Sequence, residues 1–159
     1  MTLQDLQSTI HNYGYYAVLV GAIIEGETIL LIAAISASQG LLDLRWVIAL
    51  STVSATTGDN LYFWLGRMQG KLILRYLPKL EPGLLRFNRI LDRWHTPAIL
   101  SLRFLYGLRI VGPMAVGMSG FKPLNFLCID AVGALIWSVV FSFLGYTFGQ
   151  QILPYFISG

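Results

Sequence analysis

Long apolar runs, broken at a few places by polar residues, set the pattern of this chain of 159 residues. A helix rises about 1.5 Å per residue and about 20 apolar residues cross a hydrocarbon core, so such runs predict membrane-embedded helices. Four segments fit this pattern. The second and fourth are long enough to cross a membrane, whereas the first and third are interrupted. In chain order, the segments are residues 15–38, 46–65, 97–118 and 124–148.

The first segment is cut by two acidic residues that flank a glycine, Glu25-Gly26-Glu27. The piece that follows, residues 28–38, reaches about 16 Å as a helix, which is roughly half of a hydrocarbon core. Two short helices that meet at such a break predict a re-entrant hairpin.

The third segment carries two arginines, Arg103 and Arg109, and is interrupted by glycine and proline. Their separation of six residues places them about 120° apart around an unbroken helix. They can converge on one point only if the backbone breaks near Gly107. This segment is therefore the second candidate for a re-entrant hairpin.

The two halves of the chain resemble each other in the spacing of their glycines. A glycine precedes an aromatic residue by six positions, and a Gly-x-x-x-Gly motif closes the full span, with offsets of 80 and 79 residues between the halves. The first pair is Gly40 and Trp46 with Gly120 and Phe126, and the second is Gly66 and Gly70 with Gly145 and Gly149. Interrupted segments in corresponding positions are typical of transporters built from inverted repeats. The pattern predicts a single membrane domain over residues 1–159, with repeats at about 13–70 and 97–150. Chance recurrence of glycine is the alternative.

The composition agrees with lipid as the solvent. Hydrophobic residues make up 55% of the chain and charged residues 12%, whereas about 25% is usual for charged residues in soluble domains. Cys128 is the single cysteine, and His11 and His95 lie far apart. These residues provide neither a disulfide framework nor a spaced zinc-ligand set. No metal and no cofactor is expected.

The basic residues are concentrated in one connection. Seven of the eleven Lys and Arg residues lie within residues 67–93, against only Glu81 and Asp92. No aromatic platform or recognition motif accompanies them, so nucleic acid is not an expected partner. The positive-inside rule predicts instead that residues 67–96 are cytoplasmic.

Within this connection, Pro78 and the pair Pro82-Gly83 are expected to break the chain. Residues 84–94 then predict an amphipathic helix that lies in the headgroup region of the membrane. Its apolar face is predicted to hold Leu84, Leu85, Phe87, Ile90, Leu91 and Trp94, with Arg86, Arg89 and Arg93 opposite. A solvated basic connection is the alternative.

Acidic residues within the apolar segments are candidates for proton coupling. A charge near the bilayer centre costs roughly 2.5 to 3.5 kcal/mol, so such residues usually have a function. Carboxylates that are buried near one another can exchange protons, which makes Glu25, Glu27 and Asp59 the acidic candidates. In the alternative, Glu25 and Glu27 lie in water at a helix end, and Asp59 pairs with an arginine.

Arg103 and Arg109 are the candidates for phosphate binding. A guanidinium group stays protonated and fits phosphate oxygens with two parallel hydrogen bonds. The alternative is that these arginines pair internally with Glu25, Glu27 or Asp59. Phosphate binding and internal pairing are compatible if a ligand phosphate displaces a carboxylate. Asp130 is either a second acid of the cavity or a hydrogen-bonded core residue. The further cavity candidates are Tyr62, Tyr106 and Trp137.

These residues coincide with the motifs of a known family. The matching strings are Glu25-Gly26-Glu27-Thr28; Gly58-Asp59 with Tyr62 and Gly66-Arg67-x-x-Gly70; Arg103-Phe104-Leu105-Tyr106-Gly107-Leu108-Arg109 with Pro113 and Gly117; and Gly133-Ala134-x-x-Trp137. They cover about residues 13–150, and the chain resembles the DedA family, the bacterial branch of the VTT or SNARE-associated membrane proteins. The resemblance implies two facing re-entrant hairpins, with acidic positions at Glu25, Glu27 and Asp59 and essential arginines at Arg103 and Arg109.

The chain also departs from the family pattern. Tyr106 stands where proline is common, Asp130 where asparagine is frequent, and the first hairpin lacks the prolines that many members have after the acid. These departures bear on the identity of the lipid more than on the fold. Many members continue into another transmembrane helix, so the resemblance leaves open a truncated or a minimal member.

The expected protein is an all-α integral membrane protein with two re-entrant hairpins, full transmembrane helices and an inverted-repeat transporter architecture. The resemblance implies a flippase in the bacterial cytoplasmic (inner) membrane that moves undecaprenyl phosphate or a phospholipid, coupled to the proton-motive force. Its partners are then the lipid phosphate headgroup, protons and membrane lipids; a homo-oligomer is left open. A proton or cation exchanger is the alternative function. An enzyme is not expected, because no nucleophile with a base partner accompanies the arginines.

Overall fold

The computed structural model describes residues 13–21, 26–103 and 108–157, and the regular structure in these ranges is helical. The prediction of an all-α protein is confirmed for this part of the chain. The helices are α1 at residues 13–21, α2 Gly26–Ser38, α3 Leu44–Tyr76, α4 Glu81–Arg93, α5 His95–Leu102, α6 Leu108–Met118 and α7 Pro123–Ile157. A single turn of 3-10 helix, Pro78–Leu80, precedes α4.

Only one described helix is both long enough and apolar enough to cross a membrane. It is the part of α7 from Pro123 to Gln151, with a mean hydropathy of 2.1. The shorter apolar helix α2 has 13 residues. That residues 46–65 of α3 also cross the membrane stays a prediction.

The boundaries of α3 differ from the prediction. Asp43 caps the start of the helix, because its carboxylate accepts a hydrogen bond of 2.9 Å from the backbone N–H of Arg45. The helix then continues for 33 residues to Tyr76, past the predicted end at residue 65. Residues 66–76 contain good helix formers and no proline, and the helix ends just before Pro78, where the residue preceding a proline is driven out of the helical region.

The predicted break at Pro82-Gly83 is wrong. Both residues lie in the first turn of α4, which begins at Glu81. A proline is tolerated there because the first N–H groups of a helix have no partner within the helix. The basic connection is therefore helical over most of its length.

Each interrupted apolar segment forms two helices that pack against each other. In the first, Gly21 on α1 faces Ile29 on α2. A Cβ atom at Gly21 would lie only 2.8 Å from the Ile29 side chain, so the absence of a side chain at Gly21 leaves room for Ile29. In the third, Gly112 on α6 leaves room for Leu102 on α5, at 3.0 Å from such a Cβ. The predicted breaks fall at Glu25-Gly26-Glu27 and near Gly107. Glu25 and Gly107 lie outside the described residues, and Gly26 is the first residue of α2. That these hairpins are re-entrant stays a prediction.

The chain divides into two compact units. The first combines the chain up to Ala55 with the chain from Ala134 onward, and the second is Thr56–Gly133. The core of the first unit contains the fully buried Trp137, whose ring centroid lies 5.3 Å from that of Phe141. In this unit α2 contacts α7, where a Cβ atom at Gly145 would come within 2.8 Å of the Cβ atom of Ala34.

The second unit is built on a contact between the backbones of α3 and α6. A Cβ atom at Gly66 would collide with the carbonyl group of Met114, and one at Gly117 would collide with the carbonyl group of Phe63. The Phe63 ring also stacks on Phe126 of α7, with centroids 4.6 Å apart. Glycines on both helices therefore allow the backbones of α6 and α3 to come into direct contact.

Corresponding positions in the two halves have the same backbone conformation. Gly40 and Gly120 each lie two residues beyond a helix end, at Ser38 and Met118, with φ of 76° and 81°. This left-handed conformation is common where a helix ends. It favours glycine, because glycine has no Cβ atom to clash with the backbone. These correspondences agree with the proposed repeat, and its inverted orientation stays a prediction.

The backbone contact of α3 with α6 makes Gly117 sensitive to a single methyl group. We expect Gly117→Ala to destabilise the protein by about 1–3 kcal/mol, because the added Cβ atom forces α6 away from α3. Thermal unfolding in detergent micelles measures the effect. The control is Gly83→Ala, where a Cβ atom has nothing within 4 Å. Equal unfolding midpoints for the two variants would show that the helices are not in backbone contact.

Candidate functional site

Three charged side chains meet in the interior of the second unit. One nitrogen of the Arg103 guanidinium group, Nη2, donates hydrogen bonds to a carboxylate oxygen of Asp59 and, at 2.8 Å, to Asp130. The three residues are 7%, 4% and 6% exposed. Two buried carboxylates therefore share a single guanidinium group.

The three residues come from three different helices. Asp59 lies on α3, Asp130 lies on α7, and Arg103 follows the last residue of α5. Gly133, three residues after Asp130, lets α7 approach α5, since a Cβ atom there would come within 2.9 Å of the Leu100 side chain. The guanidinium group thus meets Asp130 where the end of α5 lies beside α7.

Arg109 lines the same cavity as these three residues. The cavity measures about 10 Å³, which is room for about one water molecule. Its other described lining residues are apolar: Ile99, Leu102, Pro113 and Phe126. Apolar surroundings strengthen the attraction between buried charges, because less water screens it. Arg103, Asp59 and Asp130 are therefore buried and paired with one another.

One nitrogen of Arg103 and one oxygen of Asp130 at the site have unused hydrogen-bonding capacity. Arg103 Nη1 and Asp130 Oδ2 are buried and have no hydrogen-bond partner among the described residues. An unpartnered buried donor or acceptor is costly and requires an explanation, such as a bound water or ligand. The guanidinium group can therefore bind a further oxygen without first losing a carboxylate.

The structure brings together four of the predicted site residues. Arg103, Arg109, Asp59 and Asp130 line one cavity, as the convergence of the arginines required. Asp59 pairs with an arginine in the structure, and its role in proton coupling stays a prediction. Asp130 is an ion-pair partner of Arg103 as well as a buried residue, so it belongs with the site.

Other predicted residues lie elsewhere or outside the described residues. Glu27 is half-buried in the first turn of α2, in the first unit. Trp137 packs in the apolar core of that unit, and Tyr62 is half-buried on α3 and is not among the described residues that line the cavity. Glu25 and Tyr106 lie outside the described residues.

Sequence reasoning missed the approach of α7 to α5 at Gly133 and the apolar wall formed by Ile99, Leu102 and Phe126. The glycine carried a signal, because it lies on the same helical face as Asp130 and within a family motif. Pro113 also lies within a family motif, whereas the other wall residues carried no signal for the site, since apolar residues are common throughout the chain.

Comparison with known proteins decides the family. The VTT domain matches residues 23–147, which is most of the chain. The chain belongs to the VTT domain family. The DedA resemblance of its motifs is thereby confirmed.

Several bacterial VTT proteins are similar over most of this chain. Inner membrane protein YohD of Escherichia coli K12 is 34% identical over 95% of this chain and 79% of its own length. Protein DedA of the same organism is 27% identical over 82% of this chain and 62% of its own length. Undecaprenyl phosphate transporter A of Bacillus subtilis 168 is 21% identical over 94% of this chain and 79% of its own length. No solved structure matches this VTT protein.

The shared guanidinium group predicts an unusual pattern of stabilities. We expect Arg103→Met to cost about 3–5 kcal/mol, because it leaves two buried carboxylates without a counter-charge. Adding Asp59→Asn and Asp130→Asn to that variant should recover much of the loss, since the unpaired charges are then gone. Chemical or thermal unfolding in detergent measures the stability of the wild type, of Arg103→Met and of the triple variant. A triple variant no more stable than Arg103→Met would contradict the ion-pair geometry. Arg75→Met on the exposed end of α3 serves as the control.

Proposed function

We propose that this VTT protein is a proton-coupled transporter that moves a phosphate-bearing lipid across the bacterial cytoplasmic membrane. The observation that carries the proposal is the buried guanidinium group of Arg103, held by Asp59 and Asp130, with Arg109 in the same cavity. Arginines bind phosphate oxygens, and carboxylates beside them can take up protons. Groups for phosphate binding and groups for proton uptake thus line the same cavity.

The charges at the site suggest how the coupling works. Arg103 and Arg109 contribute two positive charges and the two aspartates two negative charges, so the closed site is neutral when both acids are ionised. An incoming phosphate adds negative charge, which is costly in a dry interior. Protonation of an aspartate removes one negative charge and releases the guanidinium nitrogen that the aspartate occupied. Phosphate binding and proton uptake therefore favour each other.

In the proposed cycle, phosphate and carboxylate compete for the same nitrogen. The carboxylates hold Arg103 in the closed state, and the unpartnered nitrogen Nη1 offers the first contact for a phosphate oxygen. Protonation of Asp59 or Asp130 then allows the phosphate to take the place of that carboxylate. Loss of the proton reverses the exchange and releases the lipid. Glu25 and Glu27, the remaining acidic candidates, are assigned the role of exchanging protons with the surrounding water.

The substrate class follows from phosphate recognition together with the relatives. The similar Bacillus subtilis protein is named for undecaprenyl phosphate, and the arginines here fit the phosphate of that lipid or of a phospholipid. The cavity has room for about one water molecule, so only the headgroup is expected to enter, and only after the site opens. The tail remains in the bilayer.

The same geometry is unfavourable for the alternative of cation exchange. Both carboxylates already face Arg103, and a metal cation would be repelled by two guanidinium groups. Among the described residues that line the cavity there is no serine, threonine, cysteine or histidine, which favours a transporter over an enzyme with a nucleophile at this site.

Lipid translocation in proteoliposomes tests the phosphate site. We expect Arg103→Gln to reduce transport of a labelled lipid phosphate roughly tenfold or more, because a charged hydrogen bond to the headgroup is lost. Arg75→Gln, which removes the same charge at an exposed position of α3, should transport at the wild-type rate. Wild-type transport by Arg103→Gln would exclude this arginine as the phosphate ligand.

The same vesicles test proton coupling separately. For the wild-type protein, an imposed pH gradient should accelerate transport in one direction. A variant with Asp59→Asn and Asp130→Asn permanently mimics protonated acids, so its transport should no longer respond to the gradient. Flux of the labelled lipid with and without the gradient is the measurement. A variant that responds as strongly as the wild type would place the coupling proton on other residues.

A further inference from the structure

The apolar face predicted for the basic helix is divided in the structure. Leu91 is 3% exposed and lies in the core of the second unit, and Phe87 packs against the same core. Ile90 and Trp94 are 53% and 56% exposed. The predicted amphipathic helix is present, and its apolar residues divide into a part that packs on the core and a part that stays on the surface.

The exposed apolar pair lies beside a row of arginines. The backbone N–H of Trp94 donates a hydrogen bond of 2.8 Å to the carbonyl of Ile90, so Trp94 directly follows the last turn of α4. Arg86, Arg89 and Arg93 recur at intervals of three and four residues, so they share one helical face. Ile90 adjoins that face at about 100° of rotation per residue, and Trp94 follows at the end of the helix.

These arginines are exposed, and none of them forms an ion pair with a described residue. Arg89 makes only a long hydrogen bond of 3.5 Å to the carbonyl of Leu85 within its own helix. Three unneutralised positive charges on a fixed face attract an anionic surface. The orientation is fixed because Phe87 and Leu91 anchor the helix to the core.

We infer that this face of α4, formed by Arg86, Arg89, Arg93, Ile90 and Trp94, binds anionic phospholipid headgroups at the membrane surface. The arginines contact the headgroup phosphates, while Ile90 and Trp94 reach toward the acyl region. The combination of exposed apolar side chains with adjacent arginines fits a lipid surface better than an acidic protein or a nucleic acid. The inference does not depend on transport at Arg103, because lipid binding is measured without it.

Tryptophan quenching by brominated lipids tests this inference in reconstituted vesicles. One preparation holds brominated phosphatidylglycerol in phosphatidylcholine, and the other holds brominated phosphatidylcholine with ordinary phosphatidylglycerol, at equal mole fractions. Subtracting the signal of Trp94→Phe isolates the quenching of Trp94. For the wild type, we expect quenching by the brominated anionic lipid to exceed that by the neutral lipid about twofold or more.

Two variants with equal charge loss locate the binding face. Arg86→Gln, Arg89→Gln and Arg93→Gln together should abolish the excess. Lys71→Gln, Arg75→Gln and Lys79→Gln together should retain it, because these residues lie outside α4. Loss of the excess in both variants would show a general charge effect and overturn the assignment to α4, as would its retention in the first variant.

A salt titration of the wild-type protein needs no variant of α4 to fold. We expect the excess to decline steeply between low and high ionic strength, because salt screens the attraction of arginines to a charged surface. Equal quenching by the two brominated lipids at low salt, or an excess that salt leaves unchanged, would overturn the inference.

Discussion

Burial of one guanidinium group between two carboxylates is the interaction on which the candidate site depends. Each of these charges is costly in a dry interior, and each is tolerable only because the others are present. The arrangement fixes three helices at one point, since Asp59 comes from α3, Asp130 from α7 and Arg103 from the end of α5. A protein that needed only stability would gain as much from apolar residues of similar size. Retention of three charges is therefore better explained by an exchange of partners at Arg103.

Close backbone contact makes that exchange possible in a confined space. Gly66 and Gly117 hold α6 against α3, and α6 carries Arg109 and Pro113, which line the cavity. The stacked rings of Phe63 and Phe126 join α3 to α7 in the same unit. The walls of the cavity are thus set by close contacts between helices. In the proposed mechanism, entry of a headgroup requires an opening of these contacts, which is a conformational change of the kind that coupled transport uses.

The residue types of the candidate site could be predicted from the sequence better than the contacts between them. Charges within apolar segments singled out Asp59, Arg103 and Arg109, because a charge in lipid is too costly to retain without a purpose. Periodicity shows the direction of a side chain but not its partner, so the choice between proton carrier and ion pair for Asp59 stayed open. The role of Asp130 depended on its distance from Arg103 across the contact of α7 with α5, which a local sequence pattern does not give. The predicted helix boundaries were wrong for local reasons. A proline such as Pro82 usually indicates a break, but the first turn of a helix accepts proline. The one amphipathic face expected for α4 was divided because tertiary packing selected only Phe87 and Leu91.

The central claim is that a lipid phosphate and the aspartates compete for Arg103, so that binding the lipid loads a proton. Isothermal titration of the detergent-solubilised protein with a lipid phosphate, in buffers of different ionisation enthalpy, counts the protons taken up per lipid bound. The account predicts uptake of about one proton by the wild-type protein near neutral pH. It also predicts that this uptake disappears when Asp59 and Asp130 are both replaced by asparagine. Lipid binding without proton uptake in the wild type would contradict the account.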